Sequence, residues 1–262
     1  TYSRIVVVDR AGTRLLYING LLHSGMVIGD PDSLPFQYTR LFVLGPLILN
    51  RSGGLSTLFI GGGGFSGPKF FSSHYQDMRI VAVEIDPKVV DVARTFFHLT
   101  EFSDKIEIIV MDGRRYLMLT EEKFDVVVLD AYSKNYIPFH LATSEFFDLL
   151  RSRMKEGGVV VSNVIASLSG PASAILWSYV RTLKEHFPHV LIVPVSSGDP
   201  FDVQNVIVVA SDAPLPSPDE LVERPEETPW PRRWGSQGPS RGLSSPRTTS
   251  PSSPSSPTVT RR

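Results

Sequence analysis

Residues 58–71, "LFIGGGGFSGPKFF", set four glycines directly behind an apolar run and follow them with Phe65, Ser66, Gly67 and Pro68. Gly62, Gly64 and Gly67 satisfy G-x-G-x-x-G between a strand-like and a helix-like segment, an arrangement that brings backbone amides up to a nucleotide or nucleoside. A tight turn alone would need one or two glycines for positive φ. Four in a row, Gly61 included, point to a ligand passing close over bare backbone.

Outward from this loop the chain alternates. "LSTLFI", "RIVAVEI", "KIEIIVM", "FDVVVLD", "GVVVSNVIA", "HVLIVPVS" and "NVIVVAS" are short β-branched runs, with amphipathic stretches such as "PKVVDVARTFFHL", "TSEFFDLLRSRMK" and "PASAILWSYVRTLKEHF" between the earlier ones. Continuous apolar strands separated by helices argue for a parallel sheet covered on both faces. Only "SGDPFDVQ" separates the last two runs, so they should form an antiparallel pair at the sheet edge. The expected class is therefore α/β, a Rossmann-like sheet of the class I S-adenosylmethionine-dependent methyltransferase type with an antiparallel C-terminal hairpin.

Three regions are expected. Residues 1–50 hold two β-rich runs around Ala11-Gly12, read as a hairpin, and a helix over 36–49. Residues 51–212 form the nucleoside-binding domain. From 213 to 262 the composition turns to Pro, Ser, Thr and Arg and reads as a disordered tail, basic beyond Trp230.

Composition narrows the rest. With 26 basic and 27 acidic residues the chain gives no global electrostatic reason to bind nucleic acid or an anionic membrane. The absence of cysteine excludes thiolate zinc sites and cysteine nucleophiles, and no metal site is expected. No run reaches the length of a membrane span, and a cytoplasmic location is expected, although a start at Thr1 leaves an upstream segment open.

Carboxylates mark the ends of three strands after the glycine loop. Glu84, about twenty residues past it, suits the two hydroxyls of a ribose. Asp112 and Gly113 close the next strand, where an acid can take an adenine amino group and glycine leaves room for the ring. Asp130 ends the strand after that. Strand ends on this side of an open sheet surround the ligand crevice. Asp86 before Pro87 reads as a helix N-cap, and Thr143 or Ser144 as another. A dinucleotide or a sulfonium nucleoside would fit such a crevice. The acid-lined rim and the lack of a Tyr-x-x-x-Lys pair favour the sulfonium. His140 reads as a structural hydrogen-bonding group and Lys69 as a solvated residue of the first helical turn.

The order of hairpin, "HSGM", "DPDSLPFQYTR", glycine loop, "VEIDP", "MDGRRYL" and "LDAYSKNYIPFHLATSEFF" resembles the spermidine synthase family of aminopropyltransferases, in its divergent spermidine synthase-like branch. The likeness covers about residues 2 to 210. It implies decarboxylated S-adenosylmethionine, or S-adenosylmethionine itself, as donor substrate with no permanently bound cofactor, and methylthioadenosine as by-product. It also implies a small-molecule amine acceptor and a homodimer. The resemblance places Gly61, Gly62, Gly64, Glu84, Asp112, Gly113 and His23 around the donor, Tyr38 and Tyr132 at the amine, and Asp130 as the catalytic residue. Tyr38, Tyr132 and Phe65 are candidates to exclude water and face the cation, with ordinary core packing as the alternative. Two acids of the family pattern are absent: Gly64 and Phe65 stand where the loop usually carries Asp, and Ser133 where a second Asp would fall. Methyl transfer and a catalytically silent nucleoside-binding module are the alternatives.

Overall fold

The computed structural model describes residues 4–51, 53–132, 136–196 and 198–223. Strands β1 (Ile5–Arg10) and β2 (Thr13–Ile18) pair antiparallel about Ala11-Gly12, both at positive φ, as expected. A third strand, β3 (Leu21–Val27), extends this hairpin into a three-stranded sheet and carries the "HSGM" segment. It turns at Asn19-Gly20, again both at positive φ. Asn-Gly between apolar runs is the strongest short hairpin signal a sequence carries.

The helix expected over 36–49 forms in three pieces: α1 (Gln37–Arg40), a 3-10 turn at Leu41–Val43 and α2 (Leu44–Leu49). Pro46 lies inside this run and supplies no N–H, so the helix cannot hold regular α hydrogen bonding across it.

The main sheet is assembled from β4 (Ser56–Ile60), β5 (Arg79–Glu84), β6 (Ile106–Val110), β7 (Phe124–Leu129), β8 (Met154–Ala166), β9 (His189–Pro194) and β10 (Gln204–Ser211), in the spatial order β6-β5-β4-β7-β8-β10-β9. The first five run parallel, whereas β10 is antiparallel to both β8 and β9. Helices α3 (Ser66–His74), α4 (Pro87–Phe96), α5 (Gly113–Leu119), α6 (Ser144–Ser152) and α7 (Ala174–Lys184) connect the strands. Asp86 caps α4 through the Lys88 N–H and Thr143 caps α6 through the Phe146 N–H.

Alternate residues of each strand feed two cores. Phe59, Ala82, Val126, Val161 and Ile207 join the layer containing Phe42, Phe71 and Phe97, while Leu58, Val81, Val127, Val160 and Val208 join Phe146, Phe147 and Leu176 on the opposite face. The central strands are mostly apolar because neither of their faces meets water. Each such side chain contributes roughly 1.5–3 kcal/mol on burial.

Order continues past 212. Helix α8 (Pro218–Glu223) follows β10, and Leu221 is buried in the first core layer. The composition of this segment misled because two leucines, Leu221 and the partly buried Leu215, do the anchoring. The remainder of the expected tail, 224–262, lies outside the described residues. Among the described residues no helix is long and apolar enough to cross a membrane.

Lys69 departs most from expectation. Helix α3 is covered by the main sheet on one side and by β3 on the other, and Lys69 is fully buried, its Nζ donating to the Phe97 carbonyl at 2.6 Å beside the Met26 sulfur. Burial pushes its pKa down to about 8, partly offset by Asp32 and Glu101. The folded protein therefore binds a proton less tightly than the unfolded chain, and stability should rise as pH climbs from about 8 to 10.5. Lys69→Met, similar in length, should flatten that dependence, removing a pH-linked gain of about 3 kcal/mol measured by urea denaturation between pH 7.5 and 10.5.

Candidate active site

Between β4 and β7 the strand order reverses, since β5 and β6 lie to one side of β4 and β7 and β8 to the other. A crevice opens at such a switch point beyond the strands' carboxyl ends. Here the two strand ends are in close contact: Asp130 donates its N–H to the Ile60 carbonyl at 2.9 Å, and Gly61 donates to Val83 at 2.9 Å. Gly61 sits at φ +107, and a Cβ there would overlap the Asp130 carbonyl. This glycine exists to let Asp130 approach.

The loop that follows is clamped by the protein itself. A Cβ on Gly64 would fall 2.7 Å from the Ser24 hydroxyl of β3 and 3.0 Å from the Phe97 ring, and one on Gly62 would fall 2.6 Å from the Phe65 ring. Gly61, Gly62, Gly63 and Gly67 line a cavity of about 740 Å³, whereas Gly64 faces away from it. The missing side chain of Gly64 makes room for β3. Phe65 is likewise removed from any cation site, because it is buried in the core at φ +55.

Glu84 is buried at the end of β5. Its Oε2 accepts the N–H groups of Gly62 at 2.9 Å and Gly63 at 3.3 Å, and its Oε1 accepts that of Asp86 at 3.0 Å. The carboxylate holds the glycine loop in shape and still lines the cavity.

Asp112 caps α5, accepting the Arg115 N–H at 3.0 Å, while its second oxygen meets His140 Nε2 at 2.8 Å. Burial opposes its ionisation, but the Arg115 N–H and His140 outweigh it and hold the carboxyl below its usual range. Gly113 lines the cavity, although a Cβ on it would run into the Ile60 side chain. The Asp112–His140 pair was invisible in the sequence, where 28 residues separate its members.

A second cavity, of about 410 Å³, adjoins the first. Asp130, Tyr38, His23 and Tyr132 line both. Burial pushes the Asp130 pKa up to about 7, against the opposing hydrogen bonds from Asn163 and Tyr38. Asn163 Nδ2 donates to Asp130 at 2.9 Å, and Asn205 Nδ2 donates to the Asn163 oxygen at 2.9 Å. Burial lowers the His23 pKa and, followed by the Asp130 charge, raises those of Tyr38 and Tyr132. The Tyr132 hydroxyl donates to the Asn163 carbonyl at 2.6 Å, so it steadies the wall. Asn163 went unnoticed in "GVVVSNVIA", yet a polar pair inside a buried apolar strand is a signal that asks for a partner. The Ser133 position lies outside the described residues.

Residues 48–189 match the profile of the spermine/spermidine synthase domain. The chain belongs to this family. Among relatives of the spermine/spermidine synthase family, it is 30% identical over 172 residues to a probable polyamine aminopropyl transferase of Bifidobacterium longum, covering 66% of this chain and 37% of that one. It is 31% identical over 160 residues to the polyamine aminopropyltransferase of Chromobacterium violaceum, covering 61% and 60%. The match thus spans less than two thirds of either relative's length. A solved structure of a probable spermidine synthase from Corynebacterium glutamicum shares the fold, with a TM-score of 0.73 at 22% identity over 87% of this chain and 85% of that one.

The raised Asp130 pKa has a stability consequence. A carboxyl whose folded pKa lies above its unfolded value costs stability progressively as pH rises from about 4 to about 7, and the full cost persists above that. Asp130→Asn should raise Tm, and by more at pH 8 than at pH 5, as followed by calorimetry.

Proposed function

We propose that this chain transfers an aminopropyl group from decarboxylated S-adenosylmethionine to a primary amine and releases methylthioadenosine. The observation that carries this reading is the meeting of two cavities on one partly buried carboxylate, Asp130. The larger has the size and rim for an adenosine: Glu84 toward the ribose, Asp112 and Gly113 toward the base, and Gly61 to Gly63 beneath. His23 and the shared Asp130 lie where the sulfonium would sit, and the smaller cavity would hold the acceptor.

Charge supports the decarboxylated donor. Among the described residues lining either cavity there is no Lys or Arg, while Glu84, Asp86, Asp112 and Asp130 are present. A donor that retained its amino-acid carboxylate would enter without a cationic partner, and removing a charge from water without one is costly. This argues against methyl transfer from S-adenosylmethionine. The names of the curated relatives point the same way.

The acceptor arrives as an ammonium, and presenting it neutral at pH 7 costs roughly 4 to 5 kcal/mol for a pKa near 10.4. Asp130, poised near neutrality, ionises as the cation approaches and receives its proton. The nitrogen lone pair then forms the new C–N bond at the propyl carbon as the C–S bond breaks. Its electron pair returns to sulfur, giving a neutral thioether; the product leaves as a secondary ammonium, and Asp130 passes the proton it received to solvent. Alignment of the two cavities supplies much of the rate by holding nucleophile, carbon and sulfur in line.

A thermal-shift titration with methylthioadenosine, S-adenosylmethionine and its decarboxylated form should show preference for the decarboxylated donor over its parent. Incubation with donor and amines should yield products heavier by one aminopropyl unit in mass spectrometry. Asp130→Asn should cut turnover by roughly 10²–10⁴-fold; wild-type turnover would remove the proton-transfer role, and no shift with any nucleoside would leave a silent module.

The pH profile provides an independent check. kcat/KM should fall as pH drops below about 7, where Asp130 takes up a proton. Asn163→Ala removes a hydrogen bond that favours the ionised form, so the acid limb should move to higher pH.

A further inference from the structure

The smaller cavity has a lopsided chemistry that names its occupant more closely. At one end stands Asp130. Beyond it Leu21, Pro35, Phe36 and Ile165 form apolar walls, and the polar groups farther along, Gln37, Ser196 and Asn205, are uncharged. Asp130 is the one carboxylate among the described residues lining this space. The sequence from 131 to 144 contains no acid, and Asp199 and Asp202, in the β9–β10 connection, are exposed and do not line the cavity. His23, its pKa lowered by burial, adds no negative charge.

The far end is hydrogen-bonding. Asn205 spends one N–H on Asn163, which leaves a donor and an acceptor for a ligand. Asp130 follows β7 and Asn205 lies near the start of β10, and the Asn163 carboxamide of β8 bridges them at 2.9 Å on each side, so the two end groups lie at most about 8 Å apart. An occupant would put one ammonium on Asp130, lay a few methylenes along the apolar wall and present its other end to neutral amide and hydroxyl groups. A second ammonium there would lose water and gain no counter-charge from the described residues.

Resting on the aminopropyl-transfer reading, we infer that the acceptor is a primary monoamine with an uncharged hydrogen-bonding terminus, a hydroxyl or carboxamide, in preference to a diamine. Specificity then follows from the rule that a polar site rejects what leaves its groups or the ligand's charge unpaired.

The test uses the full chain with decarboxylated S-adenosylmethionine and five-carbon acceptors: 5-amino-1-pentanol, 5-aminopentanamide, 1,5-diaminopentane and pentylamine. Rates are read as product mass, and binding by calorimetry in the presence of methylthioadenosine, which requires no turnover. The amino alcohol or amino amide should exceed the diamine at least tenfold in kcat/KM and in affinity. Gln37→Glu, which puts a carboxylate at the exposed first position of α1 on this cavity, should shrink that ratio at least tenfold. Equal or better use of the diamine overturns the inference while transfer itself upholds the enzyme reading. Absent transfer with the binding preference intact removes the enzyme reading and keeps the pocket's assignment. No binding of any amine, or a ratio unmoved by Gln37→Glu, overturns the assignment.

Discussion

The backbone contact between Gly61 and Asp130 governs the site. Two parallel strands of one sheet must end side by side for their connections to diverge, and at that fork the residue after β4 has no space for a side chain. Because Gly61 yields the space, the Asp130 N–H completes the ladder to Ile60 and its carboxylate stands at the junction of both cavities. Glu84 then fixes the loop from the neighbouring strand through the Gly62 and Gly63 amides. Position 61 therefore controls the acid and the glycine-lined wall of the larger cavity together.

Asp130 illustrates how a fold stores reactivity at the expense of stability. Its surroundings supply a carboxamide and a phenol but no cation among the described residues, so the charge is poorly compensated until a ligand brings one. An exposed aspartate would hold its charge comfortably and have little tendency to take a proton near neutrality. Hydrogen bonds from Asn163 and Tyr38 temper the effect and keep the carboxyl near neutrality.

Much of this was readable in advance, for identifiable reasons. Apolar runs buried on both faces announced the parallel sheet, and the short link before β10 announced the antiparallel edge. Glu84, Asp112 and Asp130 were legible as strand-end acids, and all three line the larger cavity. What stayed hidden depends on contacts distant in the chain. The reason for Gly64 lies forty residues away in Ser24, Lys69 is buried where β3 and the segment from Phe97 to Phe102 close over α3, and His140 reaches Asp112 across a whole βα unit. Asn19-Gly20 is different: its turn signal was local, and the third strand of the N-terminal sheet was there to be read.

The contact of Ser24 and Phe97 with Gly64 ties evolutionary drift at three distant positions together. Any lineage that enlarges residue 64, for instance toward an acid, must recede at 24 or 97 or displace the small sheet. Aligned descendants should therefore record paired exchanges at these sites. The amino-terminal sheet is thus locked to the glycine loop and cannot be swapped as a detachable module.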